Sequence, residues 1–230
     1  METENAIITA RNLYKSFPSP AGEVQVLKNI NLDIYKGEFV AILGPSGSGK
    51  TTFLHLAGLL DKPTSGTLKF NSMEVSKMSD DEIACVRKHH VGMVFQRFHL
   101  MPSRTVLQNV MVRFRYLEHN QREARKKAEE CLVMLKLEKL MNKPARLLSG
   151  GEMQRVAIAR AVVVSPLILI ADEPTGNLDH SSSIMVMECF QALNKQGITI
   201  LMATHNESLL GYCSRTLVFA DGMLKKDSDK

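Results

Sequence analysis

The chain has 230 residues, of which 44% are hydrophobic and 23% are charged, and its formal net charge is +5 at pH 7. This length suits one domain with a single core and is too short for two large folds side by side. The composition is close to the globular average, which excludes a disordered or a fibrous chain.

The sequence also indicates whether the chain crosses a membrane, whether it is secreted and whether its cysteines are paired. The longest apolar run, residues 161–171, is broken by Ser165 and Pro166 and is shorter than the roughly 20 residues that cross a bilayer. The start carries Glu2 and Glu4 and no basic or long apolar stretch, so we expect no secretory signal. The cysteines are scattered without a C-x-x-C pair, which favours buried free thiols: Cys85, Cys131, Cys189 and Cys213.

The first part of the chain alternates apolar and polar residues with a period of two. Residues 6–17 and 24–34 follow this pattern, which is typical of half-exposed antiparallel strands. Short, nearly continuous apolar runs follow at residues 38–44, 167–172, 198–204 and 215–222. Such runs predict strands buried on both faces of a parallel sheet.

Helical patterns separate these apolar runs. They cover residues 49–60, 149–164 and 181–196, and two amphipathic helices are expected within residues 105–140. Alternating strands and helices predict an α/β core that binds ligands at the carboxyl ends of its strands. We expect one domain over residues 1–230, with an antiparallel β subdomain first and a helical subdomain inserted at about residues 97–165.

A phosphate-binding loop is predicted at residues 44–52, GPSGSGKTT, between an apolar run and a helical pattern. Its glycines let the backbone approach phosphates, and the helix N-terminus adds a favourable dipole. Lys50 would neutralise phosphate charge and Thr51 would offer its hydroxyl to Mg²⁺. The order predicts a RecA-like P-loop core, whose loop residues are Gly44, Pro45, Ser46, Gly47, Ser48, Gly49, Lys50, Thr51 and Thr52.

Polar residues end three of the predicted strands. Gln96 closes the short run VGMVFQ, and His205 lies one residue beyond ITILMAT. We expect Gln96 to sense Mg²⁺ and water, and His205 to donate to the γ-phosphate and orient water. Asp172 would serve the metal and Glu173 the attacking water, although two acids here also suit a helix N-cap.

The stretch of residues 110–146 contains ten basic and five acidic residues. Most such charge runs are solvated faces of helices. The alternative interpretation is a surface that lies near anionic headgroups or an acidic partner.

These motifs together make the chain resemble the ATP-binding subunit of an ABC transporter over essentially its whole length. The family's Walker A motif is GPSGSGKT, its Q-loop residue is Gln96, and its signature is LSGGE at residues 148–152. Its Walker B motif is LILIADE, its D-loop is GNLD ending at Asp179, and its H-loop residue is His205. The motifs occur in the family's order, which makes the resemblance specific.

The resemblance implies ATP and Mg²⁺ as cofactors. It implies that Thr51, Gln96 and Asp172 hold the metal and that Glu173 polarises water, with Lys50 and His205 assisting. It also places an aromatic residue that stacks on adenine at Phe17.

The resemblance further implies a head-to-tail dimer bridged by ATP. The signature of one subunit would face the γ-phosphate bound by the P-loop of a second copy. The residues that it contributes are Ser149, Gly150, Gly151 and Glu152, with Asp179 of the D-loop nearby.

Two residues depart from the family's usual pattern. Glu152 stands where glutamine is usual, and it adds a carboxylate near the triphosphate. Asn206 stands where an acid commonly follows the H-loop histidine, which puts a local salt bridge in doubt. Because Glu173 is intact, we expect an active ATPase.

Within the family, GLLDKPTSG and ADEPTGNLD are similar to the LolD and MacB group, which serves lipoprotein release or efflux. SRTVLQNV, ARAVV and LMATH are similar to the cell-division ATPase FtsE, which is the alternative. We expect a polytopic membrane subunit of LolC/LolE or MacB type to dock near residues 96–102, between Gln96 and Pro102. The chain would then lie peripherally at the cytoplasmic face of the inner membrane.

Two other functional classes are disfavoured. Soluble ABC ATPases that act on nucleic acid generally carry a coiled-coil insert, a zinc module or tandem cores, and none is visible, so we expect no nucleic-acid partner. A GTPase would require N-K-x-D, whereas Asn142-Lys143 and Asn194-Lys195 both lack the Asp.

Overall fold

The structure is a computed structural model that describes residues 5–20, 22–117 and 120–229. The strands in these residues are β1 (Ala6–Ser19), β2 (Gly22–Tyr35), β3 (Phe39–Leu43), β4 (Ser65–Phe70), β5 (Met73–Glu74), β6 (Val91–Phe95), β7 (Ile168–Asp172), β8 (Thr199–Ala203), β9 (Arg215–Ala220) and β10 (Met223–Asp229). The helices are α1 (Lys50–Ala57), α2 (Asp80–His90), α3 (Val106–Met111), α4 (Gln121–Met134), α5 (Gly150–Val162) and α6 (His180–Lys195).

The strands form two sheets. A four-stranded antiparallel sheet has the order β2-β1-β4-β5, and a six-stranded sheet has the order β10-β9-β3-β8-β7-β6. In the larger sheet β9, β3, β8, β7 and β6 run parallel, and β10 pairs antiparallel at the edge. The predicted α/β fold with an antiparallel subdomain at its start is therefore confirmed.

The larger sheet separates two hydrophobic cores. On β3, Phe39 and Ala41 face a core built with α3, α4, α5 and α6, whereas Val40 and Ile42 face a core built with α1 and the antiparallel sheet. Successive side chains of a strand point to opposite faces. A strand covered on both sides is therefore apolar throughout, which explains the continuous apolar runs.

The parallel register brings the ends of four strands to one edge of the sheet. Phe95 of β6 lies opposite Asp172 of β7, which lies opposite Ala203 of β8, and Ala203 pairs with Ile42 of β3. The segments that follow these strands contain the P-loop, Gln96, Glu173 and His205. The fold thus gathers the predicted chemical groups at one edge, as expected for an α/β sheet.

Several elements went unpredicted because their apolar pattern is weak. On α2 the only buried residue is Ile83, so no continuous apolar face marks that helix. The edge strand β10 has the sequence MLKKDSD and is largely exposed. No helix in the described ranges has the length and apolarity that crossing a bilayer requires.

Two interpretations from sequence are corrected. Residues 173–178 form a turn and α6 begins only at His180, with Asp179 as its N-cap, so Asp172 and Glu173 do not cap a helix. The thiols of Cys131 and Cys213 are buried, but Cys85 is exposed on the polar helix α2. Burial raises the pKa of Cys131 to about 12, which keeps this thiol protonated and unreactive.

Candidate active site

The P-loop connects β3 to α1 through a tightly packed turn. Gly44 has φ of 151°, and a Cβ there would overlap the carbonyl oxygen of Phe219 and lie 2.7 Å from Ser48 Oγ. Only glycine fits this combination of conformation and contact. Ser48 is buried, and its Oγ has no hydrogen-bond partner in the described residues.

The N-terminus of α1 is left open to an anion. Its N-cap is Gly49, in the left-handed conformation, and no side chain accepts a hydrogen bond from the first turn. The other five α-helices of the described ranges each begin with a side-chain cap. The uncapped N–H groups of α1 therefore suit an external acceptor such as a phosphate.

Lys50 supplies the positive charge of the loop. Its Nζ donates to the carbonyl oxygens of Gly44 at 2.7 Å and Pro45 at 3.0 Å. An ammonium group has three donors, so one remains for a ligand. Pro45, Ser46 and Gly47 are exposed around it.

The first turn of α1 and the end of β7 each provide an oxygen atom for a metal. Thr51 Oγ1 lies 3.3 Å from Asp172 Oδ1. Burial raises the pKa of Asp172, and the hydrogen bond from Thr51 opposes that shift. No group of three His, Cys, Asp or Glu side chains within the described residues suits a metal. The amide oxygen of Gln96, phosphate oxygens and water would supply the further ligands of a metal held here. Such a mixed oxygen set fits Mg²⁺.

Glu173 and His205 face each other across the ends of β7 and β8. His205 Nδ1 lies 2.9 Å from Glu173 Oε2, and the side chain of His205 is 71% exposed, against 19% for Glu173. Glu173 has φ of 47°, which is uncommon for a residue with a side chain. Its N–H donates to Ala203 O at 3.0 Å, so the neighbouring strand holds this conformation.

Gln96 contacts the turn that follows Glu173. Its Nε2 lies 3.3 Å from Asn177 Oδ1, and Asn177 Nδ2 donates to Gln96 O at 3.2 Å. A Cβ at Gly176 would lie 2.9 Å from Gln96 Nε2. The amide of Gln96 is therefore engaged by this turn, and its predicted contact with a metal stays a prediction.

The second glycine-rich segment starts α5. Ser149 is the N-cap, and its neighbour Gly150 would direct a Cβ toward Leu178 and Phe98. A Cβ at Gly151 would lie 2.6 Å from Oγ of Ser182 in α6. These nearest neighbours belong to α6, to the turn before it and to the segment after β6, not to the P-loop.

Asp179 and Phe17 occupy different surroundings. The Asp179 carboxylate accepts hydrogen bonds from Ser181 Oγ, Ser182 N and Ser182 Oγ at 2.6–2.8 Å. Asp179 thus caps α6 beside Gly151. Phe17 lies on β1 and is 39% exposed, and Lys15 Nζ lies over its ring, 4.8 Å from the centroid.

A family model for the ABC transporters matches residues 27–176. The chain belongs to the ABC transporter family. It is 43% identical to the lipoprotein-releasing system ATP-binding protein LolD of Geobacter metallireducens, over 97% of this chain and 100% of that protein. It is 40% identical to the macrolide export ATP-binding/permease protein MacB of Bdellovibrio bacteriovorus, over 96% of this chain and 34% of that protein.

Solved structures also place the chain among ABC transporter cassettes. A dimeric structure of MJ0796, a bacterial ABC transporter cassette, superposes with a TM-score of 0.87 and 39% identity, over 96% of this chain and 98% of that one. A post-hydrolysis dimer of MJ0796 bound to ADP and Pi matches equally well, at 38% identity. The chain carries an ABC ATPase domain, which confirms the predicted family, fold class and enzyme.

One buried residue of the ABC cassette escaped the sequence analysis. Gln154 on α5 is fully buried, and its Nε2 donates to Pro174 O at 2.6 Å and lies 3.5 Å from Phe95 O. It therefore ties the signature helix to the turn after Glu173 and to the end of β6. The available signal was its position on the apolar face that also contains Ala157, Ile158 and Ala161.

The two departures from the family pattern have local structural roles. Glu152 forms a capping box with Ser149: its N–H donates to Ser149 Oγ at 3.3 Å, and its Oε2 accepts from Ser149 N at 2.8 Å. Asn206 Oδ1 accepts from Ser208 N at 3.0 Å and from Ser208 Oγ at 2.7 Å. Glu152 thus completes the cap of α5 from the third position of the helix, and Asn206 caps the turn that it begins.

Proposed function

We propose that this chain is the ATPase subunit of an ABC transporter, works as an ATP-bridged head-to-tail dimer, and drives a membrane partner of LolC/LolE or MacB type. The observation that carries the proposal is the grouping of Lys50, the Thr51–Asp172 pair and the Glu173–His205 pair at one edge of the sheet. These groups match the requirements of phosphoryl transfer, which are charge neutralisation, metal positioning and an oriented water.

The triphosphate binds the P-loop. The uncapped N–H groups of α1 and the Lys50 ammonium hold its oxygens, and Thr51 and Asp172, with Gln96, would hold Mg²⁺. When bound, Mg²⁺ neutralises phosphate charge and orients the phosphates. Adenine stacks on the exposed ring of Phe17.

Glu173 acts on the water that attacks the γ-phosphate. Its carboxylate accepts a hydrogen bond from this water, and His205 Nδ1 holds the carboxylate from the other side. A neutral imidazole that donates from Nδ1 leaves Nε2 as an acceptor. If His205 also donates to phosphate from Nε2, both ring nitrogens must carry a proton. Otherwise Nδ1 must give up its hydrogen bond to Glu173.

The signature completes the site of a second copy. Ser149 and the first turn of α5 present donors and the positive end of the helix dipole to the γ-phosphate, with Asp179 beside them. The dimeric structures of MJ0796, one of them bound to ADP and Pi, support the formation of a dimer. Loss of the bridging γ-phosphate then lets the dimer open.

The membrane partner docks beside the segment that follows Gln96. A cavity of about 280 Å³ lies there, lined by Phe98, His99, Leu100, Pro102, Ala145, Arg146 and Met153. Arg160 of α5 donates to the carbonyl oxygens of Phe98 at 2.9 Å and His99 at 2.6 Å, which ties this segment to the signature helix. MacB is named as both ATP-binding and permease protein, which supports a membrane partner and a peripheral location at the cytoplasmic face of the inner membrane.

The proposal is tested with Glu173→Gln, which keeps the shape of the side chain and removes its charge. We expect ATP binding to persist and the hydrolysis rate to fall by at least about 100-fold, because the water loses its base. With ATP and Mg²⁺ the variant should elute as a dimer from size exclusion. Glu188→Gln, on the exposed side of α6, is the control and should hydrolyse ATP at the wild-type rate.

Two outcomes would contradict the proposal. A Glu173→Gln variant that stays monomeric at high concentration with ATP and Mg²⁺ would argue against the composite site. Stimulation of hydrolysis by DNA, without co-purification of a polytopic membrane protein, would favour a nucleic-acid partner instead.

A further inference from the structure

The start of α5 shares its capping geometry with two other helices of this chain. Ser79–Glu82 at α2 and Ser149–Glu152 at α5 have the same pair of distances, 2.8 Å from the serine N to the carboxylate and 3.3 Å from the glutamate N to Oγ. Thr105–Gln108 at α3 forms the same box with glutamine, at 3.1 and 3.2 Å. Glutamine therefore closes this box about as well as glutamate.

The serine hydroxyl groups of the α2 and α5 capping boxes differ in whether they donate a hydrogen bond. Ser79 Oγ also donates to Glu82 Oε2, at 2.9 Å. Ser149 Oγ accepts from Glu152 N but donates to no residue in the described ranges. The box therefore holds the Ser149 oxygen in place while its proton stays available to an incoming acceptor.

The carboxylate of Glu152 also controls the backbone at this point. Because Oε2 accepts from Ser149 N, this amide is not available to a phosphate. Glu152 forms no ion pair with Lys, Arg or His in the described part of the chain. Apart from the bond to Ser149 N and the dipole of α5, no cation of the described residues offsets its negative charge at a surface that would meet the triphosphate of the second copy.

We propose that Glu152 is a positioning residue with two opposing effects on dimer closure, an inference that rests on the proposed ATP-bridged dimer. Through its bond to Ser149 N, its side chain holds the backbone that presents the Ser149 hydroxyl to the partner's γ-phosphate. Through its charge it repels that same phosphate and weakens closure. The balance between positioning and repulsion limits the stability of the ATP-bound dimer.

The substitution Glu152→Gln separates these effects, because the amide oxygen of glutamine keeps the cap and the charge is removed. Repulsion between a partly solvated carboxylate and a phosphate is modest at one site, but a symmetric dimer contains two such sites. In the Glu173→Gln background, we expect Glu152→Gln to lower the ATP concentration for half-maximal dimerisation by about three- to tenfold.

Glu82→Gln in the same background is the matched control, since it changes the same box on α2, outside the proposed interface. It should leave the ATP concentration for half-maximal dimerisation unchanged. Sedimentation velocity over a series of ATP concentrations with Mg²⁺ measures this quantity, and thermal unfolding should be similar for all variants. At about 1 M salt, where the Debye length is about 3 Å, the gain from Glu152→Gln should shrink.

A third variant separates the cap from the charge. Glu152→Ala removes the charge and the side-chain bond that holds Ser149 N. The backbone N–H of residue 152 still donates to Ser149 Oγ, but the backbone that carries this hydroxyl loses one restraint. We expect this variant to dimerise less readily than Glu152→Gln. Equal dimerisation of the two would overturn the positioning effect.

The remaining outcomes distinguish this inference from the proposed function. If Glu173→Gln dimerises and adding Glu152→Gln leaves the ATP requirement unchanged or higher at low salt, the inference is wrong and the composite site stands. If only the double variant dimerises, the repulsive effect is supported. If neither dimerises, the ATP-bridged dimer is wrong, and the inference fails with it.

Discussion

At the scale of single residues, the two glycines of the signature meet different demands. Gly151 is buried at the start of α5, and the Cβ of any larger residue would lie 2.6 Å from Ser182 Oγ and 2.8 Å from Ser182 Cβ. The family resemblance assigns both glycines to the phosphate bound by a second copy. For Gly151, the close packing of α5 against α6 is a sufficient reason in itself.

This contact predicts the effect of Gly151→Ala. The added methyl must displace Ser182, and overpacking of this kind costs about 1–3 kcal/mol, which should appear in the free energy of unfolding of the monomer without nucleotide. Gly211→Ala is the matched control, because a Cβ at Gly211 meets no atom within 4 Å. Equal stability of the two variants, measured by urea unfolding, would show that α6 shifts freely to admit the methyl group.

At the scale of elements, the charge run of residues 110–146 divides into two kinds of arginine. On α4, Arg125 pairs with Glu129 at 2.8 Å on a solvated face, as the sequence interpretation expected. Arg113 instead points inward and donates to Lys88 O at 3.0 Å and Val91 O at 2.7 Å. It thereby satisfies carbonyl groups at the C-terminus of α2, where a cation is favourable.

The N-cap of α6 makes stability depend on pH. Hydrogen bonds from Ser181 and Ser182 hold the pKa of Asp179 well below its usual range, whereas the unfolded value is about 3.9. A carboxyl group whose pKa is lowered by folding stabilises the protein above the unfolded pKa, and this contribution is lost as the pH falls through the folded pKa.

The substitution Asp179→Asn removes this titration and keeps a good N-cap. We expect the urea midpoint of the wild type to exceed that of the variant most at about pH 6, and the difference to narrow by about pH 3. Urea unfolding of both proteins across this interval measures the effect. A difference that stays constant with pH would mean that the Asp179 charge contributes nothing to the cap.

At the scale of the whole molecule, Arg215 joins the two sheets. It lies on β9 with only 9% of its surface exposed. It donates to Asp33 O on β2 at 2.9 Å, to Glu38 Oε1 at 3.1 Å, and to both carboxylate oxygens of Asp227 on β10 at 2.7 Å. The hydrogen bonds that Arg215 donates to Asp227 raise the pKa of Arg215 further, so its charge is permanent.

Arg215→Met should therefore destabilise the fold strongly. Removing the buried guanidinium leaves Glu38 and Asp227 without their partner, at a cost of about 3 kcal/mol in the free energy of unfolding. Arg11→Met is the comparison, because Arg11 pairs with Asp33 at 2.6 Å but its side chain is 43% exposed, and it should cost less than about 1 kcal/mol. A loss of the same size for both variants would contradict the special role of Arg215.

Much of the site could be predicted because its signals are local. The P-loop follows a strand and opens a helix, and Asp172, Glu173 and His205 each lie at or just beyond a strand end. Gln154 could not be assigned, because its partners Pro174 and Phe95 are distant in sequence. The capping role of Glu152 was available in the S-x-x-E spacing, but the resemblance directed attention to phosphate instead.

The sequence by itself determined the fold class, the family and the chemistry, because strand periodicity, loop glycines and helix caps depend on residues a few positions apart. Only the tertiary structure decided which groups meet: His205 with Glu173, Thr51 with Asp172, and Gly151 with Ser182. These pairs depend on strand order and helix packing, which are set by burial over the whole chain. For the same reason the second glycine-rich helix start packs against α6, and its Ser149 hydroxyl donates to no residue in the described part of the chain.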